Sequence, residues 1–325
     1  MASISSTRQS VYAALVGNLL VAATKTIAAV WTGSSAMLSE AIHSFVDTGN
    51  ELLLLHGMRR SMQQADPEHP LGYGRELYFW SFIVALMVFA LGAGVSIYQG
   101  VVHVRQPQPI SRPLVSYVVF GLCFLFEGAS WLVSLRQFRA AKGPLGYYEA
   151  FHRSKNPPSF MVLSEDSAAL VGIVIGVAGT FAATTLNMPV ADGVASILIG
   201  LVLAVVAALL ARESKSLLIG ERGDRRLNAA ILRIAQEQRP VACVNGLLTM
   251  QLAPNQIVAA LSLQFADDIR ASEIEQLVLV LEQQIRQAHP EVIDLFVKPQ
   301  TDEAYRENMR RRFGAARPAT AGRGP

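Results

Sequence analysis

Apolar residues run almost unbroken through six stretches of the chain, at roughly 11–31, 36–58, 77–102, 113–137, 158–184 and 189–211. A helix crossing a bilayer needs about 20 mostly apolar residues, so this pattern predicts six transmembrane helices. The third stretch, LYFWSFIVALMVFALGAGVSIYQG, is apolar along its length, and the fourth, PLVSYVVFGLCFLFEGASWLVSL, is broken only by Glu127. Gly and Ala recur at small-residue spacings in the fifth and sixth, which lets helix backbones approach closely. Beyond about residue 212 the pattern changes. GDRRLNAAILRIAQEQ has a helical period, VNGLLTMQLAP and QIVAALSLQFAD read as two strands around a Pro-Asn turn, ASEIEQLVLVLEQQIRQAH is an amphipathic helix, and VIDLFVKPQ is a last strand. Ser272, with Glu275 three residues on, is the expected N-cap of that second helix.

The predicted fold is therefore a membrane protein: an all-α transmembrane domain of six helices, followed by a small α+β C-terminal domain of ferredoxin-like αββαβ order. The expected division is an N-terminal cytoplasmic segment at 1–10, the transmembrane domain at 11–211, a cytoplasmic α+β domain at 212–302, and a tail at 303–325. The tail ends RRRFGAARPATAGRGP, basic and rich in Gly, Pro and Ala, and is expected to lack fixed structure.

Composition sharpens the membrane assignment. Charged residues are 16% of the chain against apolar residues at 51%, where soluble proteins carry about 25% charge. A formal charge of +3 is too small to argue for nucleic-acid binding, and two cysteines make no disulfide framework. The first ten residues show no signal-peptide pattern with a cleavage site, so the first apolar run is expected to stay as an anchor. Loop arginines and lysines, among them Arg59, Arg60, Arg75, Arg136, Arg139, Lys142, Arg212 and Lys215, gather on one side of a six-span arrangement. Positive loops face the cytoplasm, which places both termini there, in what reads as a bacterial inner membrane.

Against that apolar background the second span is unusual. It carries Glu40, His43, Asp47, Asn50 and Glu51. Residues four apart share a helix face, so His43 and Asp47 lie one turn apart in a polar stripe. A charge in mid-membrane costs at least about 2.5–3.5 kcal/mol on insertion scales, so such a stripe faces the bundle interior and has a function by default. Imidazole and carboxylate together suit zinc and related divalent ions. In span five, Glu165 and Asp166 lie at a comparable depth. His43, Asp47 and Asp166 supply three ligands, and Glu165 or water the fourth. Glu40 and Asn50 are expected to orient His43 and Asp47. Histidine titrates near neutrality and metal binding displaces protons from ligands, so a site exposed alternately to the two sides would exchange a cation for protons.

These residues resemble the cation diffusion facilitator family, six-span exporters of zinc and other divalent metals. The resemblance rests on GNLLVAATKTIAAVWTGSSAMLSEAIHSFVDTGN in spans one and two, HPLGYGRE before span three, and ADGVASILIGLVL in span six. HGMRRS, EHPLGYGRELYFWSF and SEDSAAL are shared with the subgroup that includes the mammalian zinc transporter 9. The family's transport site maps onto His43 and Asp47. Its span-five pattern of His or Asp, three residues, then Asp puts Asp166 at the second position and Val162, which cannot bind metal, at the first. Glu165 is the nearest substitute, about 100° away around the helix. A second family site would use Asp66 and His69 in the loop before span three, but its next position holds Tyr73. The C-terminal strands hold no His, so packing into a homodimer is the expectation there. Asp192, opening span six, matches a structural or capping role. Asn18 and Lys25 are expected to bond neighbouring helices, and Glu127 to relay protons or to pair with Lys25 or Arg136.

The resemblance thus implies a proton-coupled Zn²⁺ exporter working by alternating access. Its partners are the cation, protons, lipid and a second copy of the chain, with no prosthetic group. A Mn²⁺, Fe²⁺ or Co²⁺ exporter is the nearest rival. A membrane metal-binding or sensing protein without net transport is the rival from another class. No His-Glu-x-x-His is present for a metallohydrolase.

Overall fold

The computed structural model describes residues 18–314. The expected 1–10 segment, the start of the first span and the end of the tail lie outside them. One compact unit ends at Lys215 and a second begins at Ser216.

In the first unit, helix α1 covers 18–32 and α2 covers Ser35–Ser61. Between them the chain turns at Gly33, whose φ of +69° favours glycine. Ser34 caps α2 by accepting the Met37 N–H at 3.1 Å. Helices α3 (Glu76–Met87) and α4 (Gly94–Arg105) are joined through a π-helical turn at Val88–Ala93 into one continuous span. Helix α5 (Pro113–Lys142) starts on a proline at its first turn, as does α7 (Pro157–Thr185), where the missing N–H costs nothing. A short helix α6 (Tyr147–Arg153) lies between them, and α8 covers Val190–Ile219.

Among the described residues, four helices are long and apolar enough to cross a membrane: Glu76–Arg105, Pro113–Ala140, Pro157–Thr185 and Val190–Ile219. They match spans three to six of the sequence pattern. Helix α2 has the length for a span, but its charged stripe lowers its apolar character. Helix α8 runs to Ile219, past the boundary expected at 212. Arg212-Glu213 breaks the apolar run without ending the helix, because His152 Nδ1 lies 2.7 Å from Glu213 Oε1 and gives that carboxylate a partner on α6.

Small residues set the helix contacts. A Cβ on Gly100 of α4 would lie 2.6 Å from Ile197 Cγ1 and 2.7 Å from the Gly193 carbonyl of α8. Gly193 and Gly200 of α8 face backbone of the α3–α4 span at similarly short range, and Gly179 of α7 meets Ala195. Gly100→Ala is therefore expected to destabilise the bundle by roughly 1–3 kcal/mol through overpacking, read as a lower unfolding midpoint in detergent.

The second unit contains α9 (Arg225–Gln236), β1 (Val241–Ala253), β2 (Gln256–Phe265), α10 (Ala271–Ala288), β3 (Val292–Pro299) and α11 (Asp302–Phe313). The sheet order is β1-β2-β3, with β1 and β2 antiparallel and β2 and β3 parallel. Leu227 and Ile231 of α9 and Leu277, Leu281 and Ile285 of α10 pack on Leu247, Ala259, Leu261 and Leu263 of the sheet. This is the α+β order read from the sequence.

Two details differ from it. Helix α10 begins after Arg270, not Ser272: the Glu273 carboxylate accepts the Arg270 N–H at 2.9 Å, two residues earlier than the Ser272–Glu275 pair. The segment from 303, expected to be without structure, is helical to Phe313. Thr301 caps it by accepting the Ala304 N–H. Acids open the helix and Arg310, Arg311 and Arg312 close it, which complements its dipole. Tyr305 lies against Gly246 of β1, and Met309 is buried. The basic composition hid an amphipathic turn pattern whose apolar members are only these few.

Candidate metal site

The polar stripe of α2 faces the interior. His43 is 1% exposed, and its Nε2 lies 3.4 Å from Asp47 Oδ2. That contact lacks hydrogen-bond geometry: both His43 ring nitrogens, and Asp47 Oδ1, are buried without a hydrogen-bond partner among the described residues. Leaving such groups unmade costs about 1–3 kcal/mol each, which folding alone does not explain.

Asp47 opens onto a cavity of about 110 Å³. Four helices line it: Asn18 from α1, Ser44, Asp47 and Glu51 from α2, Glu127 and Ser130 from α5, and Val162, Glu165 and Asp166 from α7. The two halves expected from spans two and five therefore share one wall-to-wall space. His43 is the exception. It stands beside Asp47 and does not line the cavity. Among the described residues no three His, Cys, Asp or Glu side chains stand close enough together to hold a metal ion. The structure thus brings Asp47, Glu165 and Asp166 to a common cavity, with the last two turned to other partners.

Those partners are specific. Asp166 Oδ2 accepts Ser130 Oγ at 3.0 Å and Ser134 Oγ at 3.3 Å, both from α5. Glu165 Oε1 accepts Asn50 Nδ2 at 2.9 Å. Asn50 was expected beside Asp47; it serves Glu165 instead, because three residues beyond Asp47 its amide meets α7. Glu40 likewise does not orient His43. It pairs with Lys25, whose Nζ lies 3.2 Å from Glu40 Oε2 and 2.8 Å from Glu127 Oε1. Of the roles weighed for Glu127, pairing with Lys25 is the one formed. Asn18 donates to Glu51 Oε1 at 2.7 Å. Ser130 and Ser134 went unrecognised in the sequence; the only available signal was their spacing of one and two turns from Glu127 on a single α5 face.

Asp192 has the structural role expected of it. Its carboxylate accepts Ser34 Oγ at 2.6 Å and the Ser35 N–H at 2.5 Å, so α8 satisfies the buried N-terminus of α2.

In the loop between α2 and α3, Asp66 does not form an open ligand pair. Its carboxylate accepts Tyr73 Oη at 2.6 Å, His69 N–H at 2.7 Å and Glu68 N–H at 3.0 Å. The Tyr73 bond, then the His69 amide, hold Asp66 below the usual carboxylate range, and the same bond raises Tyr73. A depressed folded-state value means that this loop's contribution is present above the unfolded value and is lost as pH falls through the folded one. Tyr73→Phe is expected to move Asp66 back up, as read by carboxyl ¹³C shifts in an aspartate-labelled sample.

The sequence profile of the cation efflux transmembrane domain matches residues 11–219. The proton-coupled zinc antiporter SLC30A9, mitochondrial, of Homo sapiens is 36% identical over 199 residues, 60% of this chain and 35% of the relative. Metal tolerance protein C4 of Arabidopsis thaliana is 33% identical over 237 residues, 72% of this chain and 52% of the relative. The cation-efflux pump FieF of Cronobacter sakazakii is 29% identical over 149 residues, 44% of this chain and 49% of the relative. The chain thus matches about a third of the length of SLC30A9 and about half that of the other two. The profile spans the described helices that line the cavity and the four long apolar helices, so the chain is an integral membrane protein of the cation efflux family.

Proposed function

We propose that this chain moves a divalent cation, Zn²⁺ in first place, out of the cytoplasm in exchange for protons, by alternating access. The observation that carries the reading is the shared cavity: Asp47 of α2 and Glu165 and Asp166 of α7 line one space inside an apolar bundle. His43, Asp47 and Asp166 hold the ion in this reading, with Glu165 the further ligand of span five. Small rotations about α2 and α7 exchange the present hydrogen bonds from Ser130, Ser134 and Asn50 for metal bonds, so Glu165 and Asp166 each have a partner in both states. Binding requires ligands free of protons, which couples entry of the cation to proton release.

Named relatives support the cargo: one is a proton-coupled zinc antiporter and another a cation-efflux pump. The basic loops support both termini in the cytoplasm, and the bacterial inner membrane suits that orientation. The C-terminal unit serves as the pairing surface of a homodimer. The rival cargo is Mn²⁺, Fe²⁺ or Co²⁺, favoured by a donor set with one imidazole and several carboxylates.

The test is metal-dependent proton movement in proteoliposomes holding the full chain. With Zn²⁺ outermost in a panel of Zn²⁺, Mn²⁺, Fe²⁺ and Co²⁺, the zinc reading stands; a larger signal with Mn²⁺ or Fe²⁺ transfers it to that ion. Saturable binding with no flux of any ion would make the protein a sensor.

A further inference from the structure

Span five offers Val162 where a ligand would complete the site, and Val162 lines the cavity. On the same cavity wall, from a helix no ligand was expected from, stands Glu127. It lies three residues before Ser130 and seven before Ser134, so all three share one face of α5, and the two serines already hold Asp166. Glu127 is therefore presented to the space beside Asp166. Its side chain is 15% exposed, while that of its partner Lys25 is 0% exposed.

We propose that Glu127 of the fourth span is a ligand of the transported cation, filling the place Val162 cannot, and that Lys25 is the positioning residue that holds its carboxylate at the cavity wall. The inference rests on the transport-site reading above. A second observation points to an open ligand position there: Asp47 lines the cavity and its Oδ1 is buried without a hydrogen-bond partner among the described residues. Lys25 suits the positioning role because it bonds two carboxylates on two helices, Glu40 of α2 and Glu127 of α5. When Glu127 turns to a cation, the ammonium keeps Glu40 and is not left as an isolated buried charge. Glycine at 172 leaves the room that Glu40 occupies, since a Cβ there would run into Glu40 Oε1. With Glu127 the donor set becomes one imidazole and four carboxylates, harder than one with two imidazoles, so Glu127 also widens the range of ions accepted.

The experiment uses the full chain in detergent, with Zn²⁺ titrated calorimetrically and Co²⁺ as a spectroscopic probe of its own coordination. Glu127→Gln is expected to weaken Zn²⁺ binding by roughly 10–100-fold or more, the range reached by groups that merely support a ligand, and to change the visible absorption of bound Co²⁺. Glu40→Gln removes the same charge from the same network away from the cavity, and is expected to weaken binding far less and leave the Co²⁺ spectrum alone. Equal losses in the two variants with an unchanged spectrum would reduce Glu127 to a background charge and overturn the inference. If Glu127→Gln does not fold, Glu127→Asp keeps the pair with Lys25 and withdraws the carboxylate by one methylene; an unaltered Co²⁺ spectrum there overturns it too. Asp47→Ala separates the two levels. Binding lost in Asp47→Ala but intact in Glu127→Gln sinks this inference alone, whereas intact binding in Asp47→Ala sinks the transport site itself.

Discussion

Asp47→Ala is expected to abolish zinc flux driven by a pH gradient in proteoliposomes, with a loss on the order of 100-fold or more, since a direct ligand costs at least what its supporting groups do. Stability should move the other way or not at all. Asp47 Oδ1 is buried without a hydrogen-bond partner among the described residues, and removing an unsatisfied group relieves a penalty of about 1–3 kcal/mol. A residue that costs the fold something and is nonetheless present marks function over stability. The two readouts together are the check: flux lost with the unfolding midpoint kept supports a transport ligand, while flux retained would remove Asp47 from the mechanism.

The second large effect belongs to Lys25. Its ammonium is fully buried and bridges Glu40 and Glu127, tying α1 to α2 and α5. Removing one partner of a buried ion pair costs about 3–5 kcal/mol, because the remaining charge is stranded. Lys25→Met strands two carboxylates, so the unfolding midpoint in detergent is expected to fall by an amount at the top of that range. Lys25→Met combined with Glu40→Gln should recover part of the loss, since one of the stranded charges is then gone. Equal midpoints for the single and the double variant would show that Glu40 is not held by this pair.

Much of the molecule was legible in the apolar pattern. The four long apolar helices could be read from composition, because a bilayer demands long runs and little else gives them. The first two strands of the second unit were legible as apolar runs on either side of Pro254-Asn255, where the chain turns. The family also followed from short motifs around His43 and Asp47, and the match of residues 11–219 bears that out. Helix α11 was missed because charge and glycine dominate its neighbourhood, and only Tyr305 and Met309 carry its contact.

By itself, then, the sequence determined the four helices long and apolar enough to cross a membrane, that α2 brings His43 and Asp47 to one face, and that α7 carries Glu165 and Asp166. Those follow from helix period and from the cost of charge in lipid, both local properties of the chain. The tertiary structure alone decided which groups meet: Asn50 with Glu165, Ser130 and Ser134 with Asp166, Lys25 with both Glu40 and Glu127, and Asp192 with the start of α2. A helix apolar on nearly all sides carries no stripe to fix its rotation about its own axis. That rotation is set by where glycines such as Gly100, Gly179 and Gly193 let backbones touch, and such contacts join residues too far apart in the chain for any local pattern to record.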